Sequence, residues 1–296
     1  MAVTRAGTLQ TQSFILDQIT KNNAKYVQTT EQITTGQKTQ RYSGIADQSA
    51  LTVNLANSED VLTQYIKSAE TTNSRIAAQH NSVSTILDVL SDFRSKLLQA
   101  MTVEQGDDGR IDIVAEGYLK QVEGALNADL GGVYLFGGVR NDRPPVDLSD
   151  PVKNAAGTYY TGAGELMQSR IDANTVVSYG ATGDFQGFKD LISGLQRVTS
   201  APTNQVQLET ALDEINAALD GVTQLEAQMG HQMKVVEMAQ SRNDGTKATV
   251  TTQLKSLRDV DISAAMIELT QRQTILQASY SVIAKQSDLT LLNYIR

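Results

Sequence analysis

The sequence predicts a mostly α-helical protein, in which the N- and C-terminal segments form an elongated antiparallel coiled-coil rod with a small β-rich domain inserted in the middle. Apolar residues recur in alternating steps of three and four through both halves of the chain, which is the heptad spacing of a coiled coil. Three of the four prolines and a cluster of glycines fall between those halves. Aromatic residues make up only 5% of the 296 residues, so Leu, Ile, Val and Ala must fill most of the core.

The pattern divides the chain into five segments. They are an N-terminal helix at 1–44, N-terminal rod helices at 45–136, the β-rich domain at 137–184, C-terminal rod helices at 185–255 and a C-terminal helix at 256–296.

We use the term seam for a row of positions at alternating steps of three and four along a helix. In the first segment, polar residues interrupt this row. Its positions are Leu9, Gln12, Leu16, Ile19, Asn23, Tyr26, Thr30 and Ile33. A helix with so diluted a seam is marginal on its own. Gly36 and Gly44 then bracket a break between helices.

The second seam holds its steps without a slip from Leu51 to Ala100. It predicts a helix from about Ile45 to Thr102, which would be about 85 Å long at about 1.5 Å per residue. After the turn at 104–110, a further helix is predicted on Val114, Tyr118, Val122, Leu126 and Leu130, stopping at Gly131-Gly132.

The middle segment contains three short β-prone stretches, "TYY", "ELMQSRI" and "TVVSY", which predict a small antiparallel sheet. Helices resume near Phe185, and a long seam runs from Leu208 to Val236, with a candidate turn at Ser241–Gly245. The final segment has apolar residues at Ile262, Met266, Leu269, Leu276, Tyr280, Ile283, Leu289, Leu291, Leu292, Tyr294 and Ile295, without a glycine or proline. A helix this apolar must lie against another surface.

Composition argues against several functions. The net charge of −8 and the lack of a basic stripe exclude nucleic acid as a partner. No apolar stretch is long enough to span a membrane, and the N-terminus lacks the layout of a secretory signal. There is no cysteine, and the two histidines, His80 and His231, have no second histidine at ligand spacing. We therefore expect no enzyme, no metal and no cofactor.

Three stretches of the sequence resemble a known family. The ending "LQASYSVIAKQSDLTLLNYIR" resembles the C-terminal helix of bacterial flagellins, and "EQITTGQKTQRYSGIADQSALTVNL" is similar to the flagellin segment in which the inner helix gives way to the long rod helix. "QRYSGIADQSA" departs from the paired-acid run found more often in flagellins. "GGVYLFGGVRNDRPPV", from Gly131 to Val146, resembles the third hook-associated proteins, which join hook and filament.

The resemblance implies that segments 1–44 and 256–296 are inner helices, disordered in the monomer, which fold when subunits assemble. Implied partners are copies of the same chain in a ring, a neighbouring hook-associated protein, flagellin and an export chaperone. The protein is then extracellular, exported by the flagellar type III system without a cleaved signal peptide. The implied partner-binding residues are Leu9, Leu16, Ile19, Tyr26, Ile33, Ile262, Met266, Leu269, Leu276, Tyr280, Ile283, Leu289, Leu291, Leu292 and Tyr294.

The sequence leaves three functions open. The first is a structural junction between hook and filament, favoured by the "YLFGG" and "PP" motif. The second is a filament-forming flagellin with a small outer domain. The third is a cytoplasmic coiled-coil signalling scaffold, which the sheet insert and paired amphipathic termini disfavour.

Overall fold

Residues 2–39, 48–102 and 110–292 are described in a computed structural model, with side chains for residues 10, 13–39, 48–102 and 110–285. The helices are α1 (Ala2–Thr35), α2 (Ser49–Thr102), α3 (Ile111–Leu126), α4 (Pro151–Ala155), α5 (Gln186–Ser200), α6 (Gln205–Arg258) and α7 (Ile262–Leu292). The strands are β1 (Asp129–Leu130), β2 (Val133–Tyr134), β3 (Met167–Arg170) and β4 (Val176–Tyr179). The predicted helical fold with a small sheet region in the middle is confirmed.

The chain forms two compact units. The terminal unit contains Met1–Glu59 and Ala248–Arg296, and the central unit contains Asp60–Lys247. The five-segment division predicted from the sequence stays a prediction.

The core of the central unit follows the predicted heptads. On α2, the buried residues recur every seven positions in two rows, at Ala69, Ile76, Val83, Leu90 and Leu97, and at Thr72, Gln79, Ile86 and Phe93. On α6, Leu208, Ile215, Val222, Met229 and Val236 are buried at the same interval. A single apolar cluster contains most of these side chains and those of α3 and α5. The predicted seams of α2 and α6 are therefore confirmed in this unit.

Two predicted boundaries are wrong. Helix α3 ends at Leu126, not at Leu130, because Leu130 belongs to a short hairpin in which it pairs with Val133. Gly131 and Gly132 form the two-residue loop with φ values of 65° and 82°, the combination that a tight hairpin turn requires. The candidate turn at Ser241–Gly245 lies inside α6, where the buried Asn243 donates a hydrogen bond of 2.8 Å to the Ile171 carbonyl.

The sheet prediction is correct for two of its three stretches. Strands β3 and β4 pair antiparallel, from Met167 opposite Tyr179 to Arg170 opposite Val176. The "TYY" stretch contributes only an isolated bridge, between Tyr160 and Val146. Helix α4 was not predicted.

The "YLFGG" motif is a close-packed turn of the central unit. Leu135 and Phe136 are buried, and the ring of Phe136 meets that of Phe188 edge to face at 5.8 Å. Gly138 has φ +63°, and a Cβ there would collide with the carbonyl oxygens of Ala163 and Glu165. Glycine is required at this position because other main chain runs where a side chain would lie.

Candidate assembly surface of the terminal helices

Helices α1 and α7 pack against each other. A short antiparallel bridge joins Gln37, just after α1, to Asp259, just before α7. Its main-chain hydrogen bonds run from Lys38 N to the Arg258 oxygen at 2.7 Å and from Val260 N to the Gly36 oxygen at 3.0 Å. Because the bridge joins the end of α1 to the beginning of α7, the two helices run antiparallel.

Local side chains hold this bridge. Gly36 ends α1 with φ +71°, a conformation that glycine adopts without a steric penalty. The Lys38 ammonium donates to the Ser256 carbonyl at 2.7 Å, and the Gln32 amide donates to the Lys38 carbonyl at 2.8 Å. Asp261 caps α7 by accepting a hydrogen bond of 3.1 Å from Ala264 N. These hydrogen bonds thus hold the end of α1 beside the beginning of α7.

The inner faces of α1 and α7 are the faces that the two helices turn toward each other. Their residues also follow heptad spacing, but only every second one belongs to the predicted seam. Buried and half-buried side chains on α1 include Ile15, Ile19, Asn22, Tyr26, Thr29 and Ile33, and those on α7 are Ala265, Leu269, Arg272, Leu276, Ser279 and Ile283. The predicted seams shared Ile19, Tyr26, Ile33, Leu269, Leu276 and Ile283 with these faces. Leu16, Met266 and Tyr280 each lie one position beyond an inner residue and are exposed.

Apolar residues remain exposed around much of α7. At about 100° per residue, Ile275 and Val282 lie on one flank of the seam, and Met266 and Tyr280 lie on the other. Ile267, on the side opposite Leu276, is 71% exposed. Large apolar side chains exposed together on a surface indicate a site that another protein covers. Within the described chain, α7 has apolar surface that its neighbour α1 does not cover.

Helix α1 adds a smaller exposed set. Leu16 and Val27, eleven residues apart, lie on one flank, and Phe14 lies elsewhere on the helix; all three are exposed. We call the exposed apolar side chains of both helices the outer face: Phe14, Leu16, Val27, Ile262, Met266, Ile267, Ile275, Tyr280 and Val282.

The predicted partner-binding residues therefore divide between two faces. Ile19 and Leu276 are buried between the helices, while Leu16, Ile262, Met266 and Tyr280 belong to the outer face. Leu9, Leu289, Leu291 and Leu292 lie within α1 and α7, but their side chains are outside the described set, and Tyr294 lies outside the described residues. The sequence reasoning missed Ile275 and Val282, whose seven-residue spacing was a usable signal.

No cluster of three or more metal-ligating side chains occurs among the described residues. His80 lies 3.9 Å from Glu226, between α2 and α6, and His231 is exposed. None of the described helices has a stretch both long and apolar enough to cross a membrane.

Comparison with known proteins identifies the family. Residues 7–141 match the bacterial flagellin N-terminal helical region, and residues 212–295 match the bacterial flagellin C-terminal helical region. The chain belongs to the bacterial flagellin superfamily. The flagellin matches include all of α2, α3 and α7 and most of α1 and α6, and they leave residues 142–211 between them unmatched.

Relatives within the superfamily include hook-associated proteins. Flagellar hook-associated protein 3 of Escherichia coli (strain K12) is 23% identical over 304 residues, covering 92% of this chain and 94% of that protein. The FlgL structure from Bacillus cereus has a TM-score of 0.56 at 18% identity, covering 69% of this chain and 99% of that one. Flagellar hook-associated protein 3 from Legionella pneumophila has a TM-score of 0.56 at 13% identity, covering 69% of this chain and 98% of that one. These structures show a shared fold.

Proposed function

We propose that this protein is a structural subunit of the bacterial flagellum that joins the hook to the filament, and that it is not an enzyme. The outer face of α1 and α7 is the observation that carries the proposal, because apolar surface around a helix requires a covering partner. The similarity to hook-associated protein 3 over most of both chains supports the junction as the place of assembly.

The outer face is large enough to drive assembly. Burial of one large apolar side chain contributes about 1.5–3 kcal/mol. Even when only half of the outer face becomes covered, the gain amounts to several kcal/mol per subunit, from which the cost of ordering the helices must be subtracted. In a ring each subunit meets two neighbours, so the contributions add around the ring.

The proposed partners are other copies of this chain, a neighbouring hook-associated protein and flagellin, with an export chaperone before assembly. The proposed location is outside the cell, after export by the flagellar type III route without a cleaved signal peptide. The absence of cysteine suits such a route, since a chain without disulfides can be passed unfolded.

The test compares two substitutions that place the same charge on equally exposed residues. Ile267 on α7 is 71% exposed and Val152 on α4 is 77% exposed, so Ile267→Glu and Val152→Glu both leave the monomer folded. We expect Ile267→Glu to be exported but to remain unassembled in the medium, leaving hooks without filaments. Val152→Glu should support normal filaments. Filaments of normal number and length with Ile267→Glu would contradict the assembly role of the outer face.

A filament-forming flagellin is the second candidate, because both matching family regions are those of flagellin. Deleting the gene distinguishes the two. For a junction protein, hooks remain and a separate flagellin accumulates unassembled in the medium. For a filament subunit, hooks remain but no flagellin is released, since the deleted protein was itself the filament subunit.

A further inference from the structure

A groove lined by residues with polar side chains lies in the central unit between α2 and the β3–β4 hairpin. It has a volume of about 360 Å³ and follows one face of α2 from Gln64 to Arg75, with Gln168, Ser169 and Tyr179 on the opposite wall. The Ser68 and Ser169 hydroxyl oxygens lie 2.8 Å apart, and the Arg75 guanidinium donates a hydrogen bond of 3.1 Å to the Tyr179 hydroxyl. The hairpin is therefore held at a defined distance from the helix.

The groove carries positive charge in an acidic protein. Its lining contains two cations, Lys67 and Arg75, and no carboxylate; the remaining lining residues carry hydroxyl or amide groups. Among the described residues, neither Lys67 nor Arg75 forms an ion pair. Glu70 lies between them in sequence but does not line the groove. With a net charge of −8 for the whole chain, two uncompensated cations in one groove suit an anionic ligand.

The spacing of the cations restricts the shape of that ligand. Lys67 and Arg75 are eight positions apart, which corresponds to about 12 Å along the helix at about 1.5 Å per residue. In an extended peptide, which advances about 3.3 Å per residue, side chains four residues apart are separated by about 13 Å and lie on the same side.

We propose that this groove binds an extended acidic segment of a partner protein, with two carboxylates four residues apart. One carboxylate meets Lys67 and the other meets Arg75, while the hydroxyl and amide groups between them bind the peptide main chain. The site is formed by residues of the central unit alone, and it does not depend on the role of the terminal helices in assembly.

The test uses the purified full chain and fluorescent five-residue peptides, with binding measured by fluorescence anisotropy. The probe is capped Glu-Ser-Gly-Ser-Glu; one control replaces both Glu by Gln, and a second, Ser-Glu-Glu-Ser-Gly, keeps the composition but makes the carboxylates adjacent. We expect the probe to bind at least tenfold more tightly than either control, and to weaken as salt rises because exposed charges are screened.

Protein variants test the two cations. Lys67→Gln removes a side chain with no hydrogen bond or ion pair among the described residues, and it should weaken probe binding at least tenfold. Arg75→Lys keeps the charge but loses the contact with Tyr179, and it should retain most of the binding. Lys120→Gln on α3 makes the same change of net charge outside the groove and should leave binding unchanged.

Several results would overturn the proposal. Equal affinity for the probe and for Ser-Glu-Glu-Ser-Gly would show that the spacing of the carboxylates is irrelevant. If Lys120→Gln weakened probe binding as much as Lys67→Gln, the effect would be one of net charge alone. Displacement of the probe by millimolar sulfate or glucuronate as effectively as by unlabelled peptide would make the groove a small-anion site instead.

Discussion

Arg272 of α7 donates a hydrogen bond of 3.2 Å from its guanidinium to Asn22 Oδ1 of α1. Both residues occupy inner positions of the helix pair, and Arg272 also pairs with Glu268 on its own helix. The Asn22 amide nitrogen is buried without a hydrogen-bond partner among the described groups. A polar pair in an apolar seam reduces stability, but it restricts the register in which two helices meet.

Replacing both Asn22 and Arg272 by Leu should therefore loosen the register of α1 against α7. The chain has no native cysteine, so introduced thiols report the register directly. Cysteines at Ile19 and Leu276, one turn from the polar pair on each helix, should be joined by a short bis-maleimide linker faster than cysteines at Ile15 and Leu276. The double Leu variant should reduce this preference at least threefold; an unchanged ratio would show that the polar pair does not determine the register.

The turn glycine Gly138 should not tolerate a side chain. Gly138→Ala forces a residue with a Cβ into φ +63° and against two carbonyl oxygens, and we expect the central unit to lose at least about 2 kcal/mol of unfolding free energy. Gly164→Ala is the matched control, since nothing lies within 4 Å of its added Cβ. Urea denaturation measures both. Equal stability of the two variants would remove the steric explanation of the "YLFGG" motif.

Tyr118 should make the central unit sensitive to alkaline pH. Burial, together with its hydrogen bond to Asp92 and the charge of that carboxylate, raises the pKa of Tyr118 to about 12 from its ordinary 10.0. Because the folded state favours the neutral phenol, this stabilisation is complete below pH 10 and is lost as pH rises through about 12. Urea denaturation at several pH values should show Tyr118→Phe less stable than the parent at pH 9, with the difference shrinking between pH 10 and 12. A constant difference would contradict the role of the phenol.

Removing residues 289–296 should block assembly while leaving the central unit folded. The lost stretch contains Leu289, Leu291, Leu292, Tyr294 and Ile295, and burial of each such side chain contributes about 1.5–3 kcal/mol. The buried seam of α2 is unaffected, so circular dichroism should retain most of the helical signal and show a cooperative melt. Electron microscopy should show hooks without filaments, with the truncated protein in the medium. Normal swimming would rule out these residues as an assembly surface.

The sequence by itself determined the helical class, the place of the insert and the buried rows of α2 and α6. Mostly apolar residues that repeat every seven positions over many turns leave a helix one way to bury its side chains. The same periodicity located Ile19, Tyr26, Ile33, Leu269, Leu276 and Ile283 on the inner faces of the terminal pair.

Only the tertiary structure decided the other half of those inner faces. In α1 and α7, apolar and polar residues occur at neighbouring positions, so a seam through Leu16 and Asn23 satisfies the heptad as well as one through Ile15 and Asn22. The contact between Asn22 and Arg272, and the bridge between Gln37 and Asp259, join residues more than 200 positions apart. Local periodicity contains no information about such pairings, because they depend on which surfaces meet after the chain has folded back.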